Sequence, residues 1–76
     1  MRNDNPIRVI CIDDHPLILA GVRSMLQAET DMLYIGEAAN GEEGVAMFRE
    51  NLPDVTLVER RLEGTSGTEA IATIRR

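Results

Sequence analysis

Asp13 and Asp14 close an apolar run, Val9 to Ile12 with Ile7 before it, and His15-Pro16 follows at once. Two adjacent carboxylates therefore stand where a buried strand gives way to a helix. Carboxylates at the rim of an apolar core are costly unless a donor or a cation meets them. A hard divalent cation such as Mg2+ takes oxygen ligands of this kind and keeps several of its waters. A second apolar run, Val55 to Val58, ends in a third acid, Glu59. If the two runs are parallel neighbours, Asp13, Asp14 and Glu59 converge at the strand ends where open α/β sheets collect their functional groups. The competing use of Asp13 and Asp14 is helix capping and complementing the helix dipole. His15 reads as a solvent-facing residue at the helix start.

The elements that must position these acids follow from periodicity. Ile7 to Ile12 reads as a strand buried on both faces, the mark of a parallel sheet. Pro16 suits the first turn of a helix. Leu19, Val22 and Leu26 then make an apolar stripe flanked by Ile18 and Met25, which predicts an amphipathic helix over 16–28. Met32 to Ala38 is a second strand and Asn40-Gly41 a turn. Asn40 with Glu43 three residues on is a capping-box-like start. The stripe Val45, Phe48, Leu52 predicts a second helix ending near Asn51, before Pro53. Val55 to Glu59 is the third strand, and 60–67 a loop with two glycines. Ser66 and Glu69 form a capping box for a third helix carrying Ala70, Ile71 and Ile74. Strands alternating with helices imply an α/β fold, βαβαβα, with a parallel sheet and right-handed crossovers.

Bulk properties narrow the function. At 76 residues the chain is one small domain, with residues 1–6 a polar lead-in and 7–76 the folded unit. The net charge of −5 and the absence of lysine argue against nucleic-acid contact, which depends on cations meeting phosphates. The one cysteine, Cys11, excludes an internal disulfide and a cysteine-rich zinc site; mid-strand, it reads as a small core residue. No apolar stretch approaches the roughly 20 residues of a membrane span, and no signal peptide is visible, so a cytoplasmic location is expected.

Three segments in order carry a resemblance. Val9-Ile10-Cys11-Ile12-Asp13-Asp14-His15-Pro16 resembles the opening of a two-component response-regulator receiver domain of the CheY-like kind. Gly36 to Gly44 resembles the second strand and second helix start of that family, and Pro53-Asp54-Val55 to Glu59 resembles the approach to its phosphoacceptor strand. The His-Pro pair is similar to members joined to a LuxR-type helix-turn-helix output. The resemblance runs from about residue 7 to 76. It implies a flavodoxin-like sheet of strand order 2-1-3-4-5. This chain would hold its first three βα units, a three-stranded parallel sheet of order 2-1-3 without the later strands or the output domain. It also implies a histidine kinase as partner, Glu59 at the phosphoacceptor position, and Mg2+ held by Asp13, Asp14, Glu59 and the backbone carbonyl of Arg61.

One departure from the family redirects the functional reading. The family has aspartate where this chain has Glu59. The extra methylene moves the carboxylate by about 1.5 Å, and a misplacement of about 1 Å can cost on the order of 10²-fold in rate. The chain therefore reads as a non-enzymatic, phosphorylation-independent receiver governing a transcription output in its parent protein. Arg60 and Arg61 are cations that can pair with Glu59, Arg61 better placed to face the site. Two alternatives stand beside this reading. One is a self-associating module, a homodimer, because in order 2-1-3 the third strand is an open apolar edge. The other is a Mg2+-dependent phosphotransfer enzyme on the same acids, disfavoured by the lack of an aspartate nucleophile and of lysine.

Overall fold

The computed structural model describes residues 5–60 and 67–75. Along the chain run β1 (Ile7–Ile12), α1 (Pro16–Gln27), β2 (Met32–Ala38), α2 (Gly41–Asn51), β3 (Val55–Val58) and α3 (Gly67–Ile74). The strands form one parallel sheet in the order β2-β1-β3, as the resemblance implies. β1 is central, so it has a strand on either side and Val9, Ile10, Cys11 and Ile12 are all buried. Its side chains alternate between the two faces. Ile12 packs with Ala38, Val58 and Ile74 on the face where Gly44 of α2 closes in. A side chain at Gly44 would collide with Ile12, so a glycine there lets helix and strand approach closely. Cys11 and Leu57 face the other way and share a shallow cavity with Ile18 and Val22 of α1.

Local chemistry explains most boundaries. Pro16 opens α1, and its buried face is Leu19 with Val22 and Leu26 half-buried, the stripe read from the sequence. Ile18 and Met25 flank it and are exposed. Asn40 caps α2 by accepting from the Glu43 amide at 2.9 Å, while the Glu43 carboxylate reaches back to the Ala39 amide at 3.3 Å. The return bond thus lands one residue before the one a strict capping box uses. Between β1 and β2 the register slips: Val9 pairs with Tyr34 but Ile10 with Gly36. Ile35 is the extra residue of a bulge.

Two sequence expectations change. Leu52 does not extend the α2 stripe; it is the helix C-cap, 67% exposed, with the left-handed φ of 47° that ends the helix before Pro53. β3 stops at Val58, so Glu59 lies just past the strand. Ser66 of the expected capping box lies outside the described residues. Among the described residues no helix is long and apolar enough to cross a membrane.

Candidate functional site

The parallel register of β1 and β3 decides which acids meet. Ile12 pairs with Val58, so Asp13 and Glu59 are the next residues on adjacent strands. The Glu59 amide donates to the Ile12 carbonyl at 2.9 Å, and the Asp13 amide donates to the Ala38 carbonyl of β2 at 3.0 Å. Both backbones are therefore held by the sheet at the point where their side chains leave it. Asp13 and Glu59 line the same cavity of roughly 230 Å³. The Glu59 Oε1 atom accepts from the Arg60 amide at 2.8 Å, which turns that carboxylate back on its own backbone.

Asp13 is only 5% exposed, so its charge needs donors. His15 supplies two: its amide and its ring Nδ1 lie 2.8 and 2.7 Å from Asp13 Oδ1. Asp13 thereby satisfies the backbone at the start of α1, whose N-cap is His15 itself, with no side-chain cap bond of its own. The same Nδ1 lies 2.9 Å from Asp14 Oδ1. A single ring N–H serves one acceptor well, and Asp13 takes it. Asp14 Oδ1 is thus shut from solvent beside the imidazole, with no hydrogen bond.

His15 is where the structure adds most to the sequence reading. Its ring is largely exposed, as expected, yet its Nδ1 faces both acids. The hydrogen bond to Asp13 first, and then the negative charge of Asp14, push its pKa above the ordinary histidine value, with Asp13 and Glu59 charges adding to that. Asp13, Asp14 and His15 each offer a ligand atom within 4.8 Å of the others, the grouping among the described residues that can hold a metal ion. The oxygens of Asp13 and the orphaned Asp14 Oδ1 fit a hard divalent cation. Glu59 stands beside this group, on the shared cavity, and not within it. Arg61 lies outside the described residues. Arg60 contributes its backbone at both ends: its amide to Glu59, and its carbonyl to the Gly67 amide at 2.7 Å.

Gly67 reads from the sequence as the last loop glycine, where the third helix is expected to start, and α3 does begin there. It is buried, and a Cβ there would run into the Glu59 carbonyl, so the start of α3 rests directly on the end of β3. The available signal was a glycine directly after a predicted cap. A second cluster links α1 to β2. Arg23 of α1 grips Glu37 of β2 through Nε and Nη2, at 2.9–3.1 Å, and the Tyr34 hydroxyl donates to the same carboxylate at 3.1 Å. Burial, followed by that hydrogen bond and the charge of Glu37, pushes the Tyr34 phenol well above its ordinary value. Burial likewise pushes the Cys11 thiol up, with the charges of Asp13 and Glu37 adding.

Comparison with known proteins gives a consistent picture. Residues 9–76 match the response regulator receiver domain. The nitrate/nitrite response regulator protein NarL of Escherichia coli is 33% identical over 75 residues, covering 99% of this chain and 35% of that protein. The transcriptional regulatory protein LiaR of Bacillus subtilis is 45% identical over 64 residues, 84% of this chain and 30% of LiaR. Among solved structures, the signal receiver domain of the putative response regulator NarL from Mycobacterium tuberculosis superposes with a TM-score of 0.89 at 34% identity, over 93% of this chain and 57% of that one. The response regulator domain of Thermotoga maritima CheB gives 0.89 at 29% identity, over 91% of this chain and 52% of that one. The chain thus spans about a third of the length of the curated relatives it matches.

Proposed function

Because the chain belongs to the response regulator receiver domain family, we propose that it is a receiver whose charge state at the phosphoacceptor position is set by Glu59, not by a kinase. Receivers of this family work with histidine kinases in two-component signalling, and the LuxR-type relatives make a transcription output the fitting destination of the signal. The observation that carries the reading is the placement of Glu59. It follows β3 beside Asp13, where the family has its acceptor aspartate, but carries one methylene more and folds onto the Arg60 amide. A permanent carboxylate there supplies negative charge without an acyl phosphate. Asp13 and Asp14 bind Mg2+ in this reading, with Glu59 alongside and the Arg61 carbonyl as the family's further ligand. When bound, the ion neutralises charge that these acids otherwise impose on each other.

The test is incubation with acetyl phosphate and Mg2+, followed by intact-mass spectrometry and hydroxylamine treatment. The native chain is expected to acquire no phosphoryl group, and the Glu59→Asp variant to acquire a hydroxylamine-labile one. A labile adduct on native Glu59 would sink the proposal.

A second reading, self-association, has its own support. Among the described residues β3 pairs on one side only, and its Val55 and Leu57 are about two-fifths exposed, 39% and 41%. An apolar edge of this kind is a template for another strand. Two copies pairing β3 across a two-fold axis would satisfy it. Size-exclusion chromatography with light scattering over a wide concentration range is expected to show a discrete dimer; a monomer at all concentrations removes this reading.

A further inference from the structure

We propose that α3 is the element that responds to the carboxylate at residue 59, and that the Arg60 backbone is the link between them. This rests on Glu59 being the fixed charge of the site and adds the element on which that charge acts. The connection is short. The Arg60 amide donates to Glu59 Oε1 at 2.8 Å, and the Arg60 carbonyl accepts from the Gly67 amide at 2.7 Å. One residue thus holds the carboxylate with its amide and the first residue of α3 with its carbonyl. Gly67 is buried against the Glu59 carbonyl with no room for a Cβ, so α3 begins in direct backbone contact with residue 59.

α3 is suited to respond because its order depends on docking. It has 8 residues, and an isolated helix shorter than about 12–15 is marginal in water. Its inner side is Ala70, fully buried, and Ile74, which packs on Ile12 and Ala38, while Ile71 is 42% exposed. The first amides of a helix have no intrahelical partner, and that of Gly67 uses the Arg60 carbonyl instead. The Glu59 amide is held on the Ile12 carbonyl of β1, so any movement set off by the carboxylate falls beyond residue 59. Release of the carboxylate lets the 59–60 peptide turn, and the Arg60 carbonyl, one Cα further on, turns with it. α3 then loses its first anchor and opens locally, below the free energy at which the whole domain opens.

The experiment is amide hydrogen exchange of the full chain by NMR, comparing residues 71–75 of α3 and its end with residues 45–48 of α2. It is run on the native protein, Glu59→Ala, Arg60→Pro, Arg60→Ala and the double variant Glu59→Ala with Arg60→Pro, with circular dichroism to compare folding. Glu59→Ala removes the acceptor, Arg60→Pro removes the donor, and Arg60→Ala removes only the side chain. Glu59→Ala and Arg60→Pro are each expected to speed exchange in α3 by about three- to tenfold relative to α2, the size expected for one hydrogen bond. The double variant is expected to add nothing further, since both changes break the same bond. Arg60→Ala is expected to exchange as native. Unchanged α3 exchange in Glu59→Ala overturns the proposal, and so does equal acceleration of α2 and α3 in every variant. Additive effects in the double variant, or an Arg60→Ala effect as large as that of Arg60→Pro, overturn the backbone route. Should Arg60→Pro fail to fold, Glu59→Ala and Arg60→Ala decide by the same criteria. Acetyl phosphate labelling decides separately whether Glu59 is a fixed charge, so either result can fail without the other.

Discussion

Tyr34 and Glu37 show how a single pair can make stability depend on pH. The Tyr34 hydroxyl donates to Glu37, and a phenolate there would face a carboxylate in partly buried surroundings. The folded state therefore holds the phenolic proton above the ordinary value of about 10. A raised folded pKa stabilises fully below the unfolded pKa, and the benefit is lost as pH rises toward the folded value. Urea unfolding at a series of pH values is expected to show Tyr34→Phe less stable than native by about 1 kcal/mol below pH ~10, the loss of one hydrogen bond. The gap should close at higher pH. A gap that widens above pH ~10 would contradict this assignment. At the same scale, Glu59 was legible in the sequence as an acid beside Asp13, because both directly follow apolar runs that pair in register. The reach of His15 to both acids was not legible. Spacing places a residue on an element, but only the turn at Asp13-Asp14 decides where an imidazole tip falls.

At the scale of elements, apolar runs and caps carried most of the information. β1 and β2 begin and end where alternation and burial place them, and α1 and β3 each finish one residue earlier than expected. The exception at the end of α2 has a physical cause. Leu52 lies four residues after Phe48, which reads as one more turn of the stripe, yet Pro53 cannot continue a helix and the chain must reverse there. Its left-handed backbone closes the helix through the Leu52 amide and the Phe48 carbonyl at 2.7 Å, while its carbonyl accepts from Arg8 at 3.0 Å. An L-residue in that conformation costs about 1–2 kcal/mol. Because the Leu52 side chain is mostly exposed, little burial is lost on removing it. Leu52→Gly is therefore expected to raise stability by about 0.5–1 kcal/mol, less than the full strain because glycine also loosens the unfolded chain. The midpoint of urea unfolding checks it; a lower midpoint would mean that the Leu52 side chain is stabilising after all. The bulge at Ile35 had no sequence signal, since a slip in register leaves a run of apolar residues unchanged.

For the molecule as a whole, the strand order comes from the family resemblance and the parallel sense from alternation; the structure agrees with both. What neither could convey is how unevenly the sheet is covered. One face has α2 and α3 upon it, while Leu57 and Val55 remain partly open beside the side of β3 that pairs with no strand among the described residues. If two copies meet along this edge, a charge placed there should separate them. Leu57→Lys is expected to shift light scattering from dimer to monomer while leaving the far-ultraviolet circular dichroism intact. A dimer that survives the substitution would put the contact elsewhere.

One peptide unit, Ile12–Asp13, is bonded to both neighbouring strands: its carbonyl accepts from Glu59 and its amide donates to Ala38. The acids consequently hang from the least yielding row of the sheet. In solvent-exchange terms, the Asp13 and Glu59 amides should trade hydrogen for deuterium only when the whole domain opens, at a common rate that tracks global stability. The strand ends that carry Asp13 and Glu59 would then stay fixed while the groups around them move.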